Sequence, residues 1–191
     1  MSLVTIFLKA FLIDNIVLMG FLALCPLIGM STDEDKSIGM GLAVTFVTVL
    51  ATCVTWPIYM YILKPYNLEF LKILVFILVI ASLVQLVEFF LKKMVPSLYK
   101  SMGIYLALIT TNCAILGVTF NAIDNGFSLL ESVVYAIGVA LGFLLAMLLL
   151  AGIRDRLRTC PVPAFLKGTP ILFAACALLS IAFMGFKGLV Q

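Results

Sequence analysis

Six apolar segments, at about residues 3–28, 38–62, 68–91, 100–120, 129–152 and 169–189, occupy most of this chain and leave only short polar connections between them. No other feature constrains the fold as strongly, because a hydrocarbon layer about 30 Å thick requires about 20 apolar residues per helical crossing. Lipid offers a backbone no hydrogen-bond partners, so each segment is expected to be helical. Composition agrees: 64% of the residues are hydrophobic, 11% are charged and the mean hydropathy is +1.27, outside the range of soluble globular domains. The fold class expected is an all-α integral membrane protein, a single six-span domain over residues 1–191 with no room for a soluble domain.

Charge sits mainly in the connections, and a net charge of +3 is too small to indicate a nucleic-acid partner. Lys36, Lys92, Lys93, Lys100, Arg154, Arg156, Arg158 and Lys167 fall on one side of the predicted membrane, and Lys9, Lys64, Lys72 and Lys187 on the other. The positive-inside rule makes the first set cytoplasmic, with both termini expected on the outer side. Met1-Ser2-Leu3-Val4 has no basic region before the apolar run and no small-residue cleavage site, so the first segment is expected to remain in the mature protein.

Shifting the chain by 97 positions against itself aligns Asn15 with Asn112, Gly20 with Gly117, Ser31 with Ser128, Glu34 with Glu131 and Gly41 with Gly138. Asn and Glu are scarce here, so these matches outweigh the apolar ones. They predict two repeats, residues 1–97 and 98–191. Each repeat holds three spans, an odd number, so the second must be inverted in the membrane. In that architecture discontinuous helices from corresponding positions meet near the midplane.

Two cysteines bear on this. Cys113 lies 13 residues beyond Lys100, about 20 Å into the membrane along a helix. On a straight helix from Leu3, Cys25 would come 22 residues later, about 33 Å along and already at the far face. The two thiols can share a depth only if the first span is broken. A break near Asn15 to Gly20, with Cys25-Pro26 turning the chain, would achieve this, since the residue before a proline is disfavoured in the helical region. The first and fourth spans are therefore expected to be discontinuous and packed against each other.

On residue chemistry alone, Cys25 and Cys113 stay open between small apolar filler and metal ligand. Cys53, Cys160 and Cys176 have ordinary surroundings and read as filler, and five cysteines without loop-rich context do not form a disulfide framework. The chain has no histidine, so a metal site would draw on thiolate, carboxylate, amide or backbone oxygen. Two thiolates make half of a Cys₄ iron–sulfur site, and a second chain would have to complete it. Asp14, inside the first apolar run, reads either as a helix cap or as part of an ion pathway. The Gly39-Met40-Gly41 and Gly138-Val139-Ala140-Leu141-Gly142 stretches read as close-packing surfaces. With no phosphate loop, nucleophile dyad or nucleotide fingerprint, the chain carries no catalytic centre of its own. A small secondary transporter and a structural scaffold are the rival readings of such a chain.

Asp14-Asn15, Cys25-Pro26-Leu27-Ile28-Gly29, Gly39-Met40-Gly41-Leu42-Ala43, Thr110-Thr111-Asn112-Cys113-Ala114-Ile115-Leu116-Gly117 and Ala182-Phe183-Met184-Gly185-Phe186 together resemble the RnfA/NqrE family of redox-driven ion pumps over essentially the whole chain. The resemblance leans to the Rnf side, ferredoxin:NAD⁺ oxidoreductases that translocate Na⁺ or H⁺, rather than to NqrE of the sodium-pumping NADH:quinone oxidoreductases. It implies that two homologous six-span subunits pack as an inverted pair and share one intramembrane [2Fe–2S] cluster. Carried to this sequence, the ligands are Cys25 and Cys113. The implied partners are RnfE as the pseudo-symmetric mate, then RnfB, RnfC, RnfD and RnfG, within the lipid bilayer of a bacterial cytoplasmic (inner) membrane. The enzyme so implied is the assembled translocase.

Overall fold

A computed structural model describes residues 3–13, 15–31, 34–66, 68–94, 112–161, 163 and 166–185, and all regular structure among them is helical. The first apolar segment is divided into three short helices, α1 (Leu3–Leu8, continued by a π-helical turn at Lys9–Ile13), α2 (Ile16–Gly20) and α3 (Leu24–Met30). Two long helices follow, α4 (Glu34–Ile58, continued by a π-helical turn at Tyr59–Leu63) and, after a 3₁₀ turn at Glu69–Leu71, α5 (Lys72–Met94). The remainder is α6 (Cys113–Asp124), α7 (Leu129–Thr159) and α8 (Thr169–Met184).

Residues 37–63, 69–89 and 129–159 are helical stretches long and apolar enough to cross a membrane. The helices over residues 3–13 and 113–124 are apolar but reach only about 17 Å, half of a hydrocarbon layer. The chain is thus a helical membrane protein that mixes full-length and half-length helices. The beginning of the fourth predicted span, residues 100–111, lies outside the described residues, as does Asp14.

The axis of the molecule is the α4–α7 pair. Met40, Val44, Val47 and Ala51 share one buried cluster with Val139, Phe143, Met147 and Leu150. A side chain at Gly41 would collide with Leu144, so glycine allows these two helices their close approach. The threonines of α4 cause no polarity problem in this core. Thr45, Thr48, Thr52 and Thr55 each donate to the carbonyl four residues earlier, at 2.6–2.9 Å. α5, by contrast, leaves Ile73, Leu74, Ile77, Leu78, Leu86 and Phe89 exposed, as a lipid-facing helix would.

Two sequence expectations need correction. The run Arg154-Asp155-Arg156-Leu157-Arg158 is not a connection but the last turns of α7, which continues to Thr159. Nothing in that run breaks a helix, the basic residues suit a helix C-terminus, and Pro161 follows shortly after. Nor does Cys25-Pro26 turn the chain. Both lie in the first turn of α3, where a proline lacks only an N–H that had no intrahelical partner anyway. The turn is made just before, by Phe21 and Ala23 in the left-handed region at φ 51° and 63°.

Candidate functional site

The site grows from the two interruptions of the first apolar segment. At the first, Asn15 is extended (φ −62°, ψ 101°) and its Oδ1 accepts from the N–H groups of Val17 and Leu18, at 3.2 and 3.4 Å. Asn15 is fully buried, and its Nδ2 donates to the Gly142 carbonyl of α7 at 3.0 Å. The missing side chain at Gly142 makes this contact possible: a Cβ there would lie 3.0 Å from the Phe11 carbonyl and 3.2 Å from Asn15 Nδ2. Gly138, one turn earlier, admits Phe7 and Ala10 in the same way.

At the second interruption, Phe21 closes α2 by donating its N–H to the Ile16 carbonyl, and the freed Leu18 carbonyl accepts from Ser180 Oγ of α8 at 2.7 Å. Backbone groups that lipid could not satisfy are therefore bonded inside the protein. α3 is fixed at its other end by Arg154, whose guanidinium donates to the Ile28 carbonyl (3.0 Å) and to Ser31 Oγ (3.2 Å). A cation at a helix C-terminus also opposes the negative end of the helix dipole.

The second half-helix enters at this point. Asn112 is extended (φ −70°, ψ 110°), its side chain accepts from the Ala114 N–H at 3.0 Å, and α6 begins at Cys113. Asn15 and Asn112, paired by the 97-residue offset, thus do the same thing with the same backbone geometry. α6 packs on the interrupted segment through Gly117, whose Cβ would sit 2.7 Å from Leu22 and 3.3 Å from Ile16.

This packing brings the Ala23 N–H to 2.9 Å from Cys113 Sγ. Cys25, two residues on, lies in the first turn of the adjoining helix α3. Both thiols are on the exposed surface, as are Cys53 and Cys160, whereas Cys176 is buried in the core. Among the described residues, no three Cys, Asp or Glu side chains gather into a metal cluster. The buried Asn112 Nδ2 has no hydrogen-bond partner among them. Two exposed thiols in the first turns of neighbouring helices, with a backbone N–H on one sulfur and, on the preceding residue, a buried amide without a described partner, form a donor set that suits half of a thiolate-ligated centre open to a second chain.

Sequence reasoning found the cysteines and the asparagines but not Phe21 and Ala23, because neither residue type advertises a left-handed backbone. Ser180 and Arg154 were equally invisible, since each acts across more than 120 positions of sequence.

Half-length helices whose interruptions are sealed by protein define a membrane protein of the broken-helix class. The family described as "Rnf-Nqr subunit, membrane protein" matches residues 3–190, and the chain belongs to this family. It is 51% identical over 189 residues to the A subunit of the ion-translocating oxidoreductase complex of Syntrophotalea carbinolica, covering 99% of this chain and 98% of that one. It is 48% identical, with the same coverage, to the A subunit of the Na⁺-translocating ferredoxin:NAD⁺ oxidoreductase complex of Acetobacterium woodii. A third relative, the A subunit of the ion-translocating oxidoreductase complex of an Azoarcus species, is 52% identical over 180 residues, with 94% and 93% covered.

Proposed function

We propose that this chain is the A-type membrane subunit of an ion-translocating ferredoxin:NAD⁺ oxidoreductase complex, and that Cys25 and Cys113 supply two of the four thiolates of an intramembrane [2Fe–2S] cluster. The near-full-length identity to subunits of that name supports the first part and favours an Rnf assignment over an NqrE one. The observation that carries the second is the 2.9 Å contact between the Ala23 N–H and Cys113 Sγ, which ties the α3 start, with Cys25, to the α6 start. Both thiols are exposed, so the other two ligands come from a homologous subunit, RnfE, facing this surface.

When bound, such a cluster takes up and gives up one electron. A cofactor near mid-membrane would divide a gap of about 30 Å into two of about 15 Å. The chain's own residues hold the two sulfurs on half-helix starts, donate a backbone N–H to one of them, and keep water and lipid out of the interruptions. Hydrogen bonds of this kind raise the reduction potential of the group they serve. Coupling to Na⁺ or H⁺ translocation would work through movement of the two inverted repeats, residues 1–97 against 98–191, across six spans with both termini outside. The matched asparagine caps and the paired long helices α4 and α7 support that arrangement. RnfB, RnfC, RnfD and RnfG complete the assembly.

The test is Cys25→Ala and Cys113→Ala in the purified complex, with Cys53→Ala as the matched control. Each ligand variant should lose the low-temperature spin-resonance signal of the intramembrane cluster and its iron, while the control keeps both. Full iron content and an unchanged signal in either ligand variant refute the assignment.

A further inference from the structure

At the arginine-rich end of the bundle, a cavity of about 590 Å³ opens between the end of α7 and the start of α8. Three cations line it, Arg154, Arg158 and Lys167, and none of its described lining residues is acidic. Gly168, which also lines it, is the N-cap of α8 and offers no side-chain cap, so the free N–H groups of the helix start, Pro170 excepted, add to the positive character of the same space. Arg154 lies 25 residues into α7, about 38 Å along the helix and so beyond a hydrocarbon layer that begins at Leu129. The cavity therefore falls at headgroup level.

Two apolar grooves continue from it. One, of about 360 Å³, runs between α7 and α8 along Ile153, Leu157, Ala174, Leu178 and Ala182; it shares Leu157 and Ile171 with the cationic cavity. The 11 residues from Ile171 to Ala182 descend about 16 Å, the depth of one leaflet. The other groove, of about 440 Å³, lies along Leu148, Leu149, Gly152, Ile153 and Arg156 of α7, adjoins the first at Ile153 and Leu157, and shares Leu157 and Cys160 with the cavity. A free phosphate would use the cations and leave both grooves without purpose.

We infer that this end of the protein binds one anionic diacyl glycerophospholipid. Its phosphate sits among Arg154, Arg158 and Lys167, and its two acyl chains lie in the two grooves that meet at Leu157. Basic recesses between helices at a membrane face are sites for acidic headgroups. Nothing in this assignment depends on the cysteine centre.

The experiment uses the whole purified complex in nanodiscs of phosphatidylcholine with one-fifth phosphatidylglycerol, followed by delipidation and native mass spectrometry. The wild type should retain phosphatidylglycerol. Arg158→Gln with Lys167→Gln should lower retention about 25-fold, roughly fivefold per cation removed. Ala174→Trp fills one groove with all the cations intact and should also lower it, while 10 mM inorganic phosphate should not displace the lipid. A photo-cross-linker at Ile171 should label lipid. Retention equal to wild type in the double variant overturns the site. Loss of the lipid to phosphate, with Ala174→Trp silent, assigns it to a free anion and overturns the lipid reading. A cross-link from Ile171 to another protein of the complex in place of lipid overturns it as well.

Discussion

Asn15→Ala isolates the energetics of the broken helix. Asn15 is fully buried, accepts from two backbone N–H groups at 3.2 and 3.4 Å and donates to the Gly142 carbonyl at 3.0 Å. Losing the cap costs about 1 kcal/mol and up to about 2 in settings where water cannot replace it. The donated bond adds about 1 kcal/mol. The total of about 2–3 kcal/mol corresponds to a roughly 30- to 150-fold rise in the open population of the segment over residues 16–20. Asn112→Ala is the internal comparison. Asn112 makes a single described cap bond, at 3.0 Å, and its Nδ2 is buried without a described partner, so truncation also relieves an unsatisfied group. Its cost should stay near 1 kcal/mol or below. Hydrogen exchange of the intact complex, read by mass spectrometry on peptides over residues 16–20 and 113–124, measures both. Acceleration in Asn15→Ala of less than about threefold, or a larger effect from Asn112→Ala on its own segment, refutes the reasoning.

Gly142→Ala should destabilise the complex by about 1–3 kcal/mol, because the new methyl meets the Phe11 backbone at 3.0 Å, whereas Gly152→Ala on the same helix meets nothing within 4 Å and should stabilise by up to about 1 kcal/mol; thermal unfolding in detergent distinguishes them. Gly117→Ala pushes on Leu22 at 2.7 Å, beside the left-handed turn, and should shift the spin-resonance line shape of the cluster proposed for Cys25 and Cys113 even where iron content is kept. Ala23→Val puts a β-branched side chain at φ 63° in a fully buried position and should cost more than about 2 kcal/mol, read as lost assembly on size-exclusion chromatography. Arg154→Met removes two bonds from the end of α3 and should cost about 1–3 kcal/mol, read as faster proteolysis between α3 and α4.

The membrane class, the long helices and the glycine contacts were all legible in the sequence, because each depends on local composition. Gly41, Gly138 and Gly142 do lie at close approaches, as their spacing implied. The interruption of the first segment was also legible, from arithmetic on the depths of Cys25 and Cys113. Its mechanism was not: Cys25-Pro26 reads as a breaker in sequence and is a helix start in space, while Phe21-Leu22-Ala23 reads as ordinary helix and is the turn. Propensity loses at both places because α6 and α8 offer these backbone groups partners that a lipid-exposed stretch of chain would lack.

Sequence by itself determined that this chain lives in a bilayer, that two of its five thiols are oddly placed, and that Asn15 and Asn112 are counterparts. Those facts are set by hydropathy and residue identity, which need no partner. Tertiary structure alone decided where the chain turns and which thiol meets which backbone. It also decided how the ends of the short helices are sealed. Ser180 on the Leu18 carbonyl, Arg154 on the Ile28 carbonyl and the Ala23 N–H on Cys113 are each contacts between segments 90 or more residues apart. A hydrogen bond at that separation leaves no periodicity in the sequence, and in lipid it is what permits a helix to stop halfway.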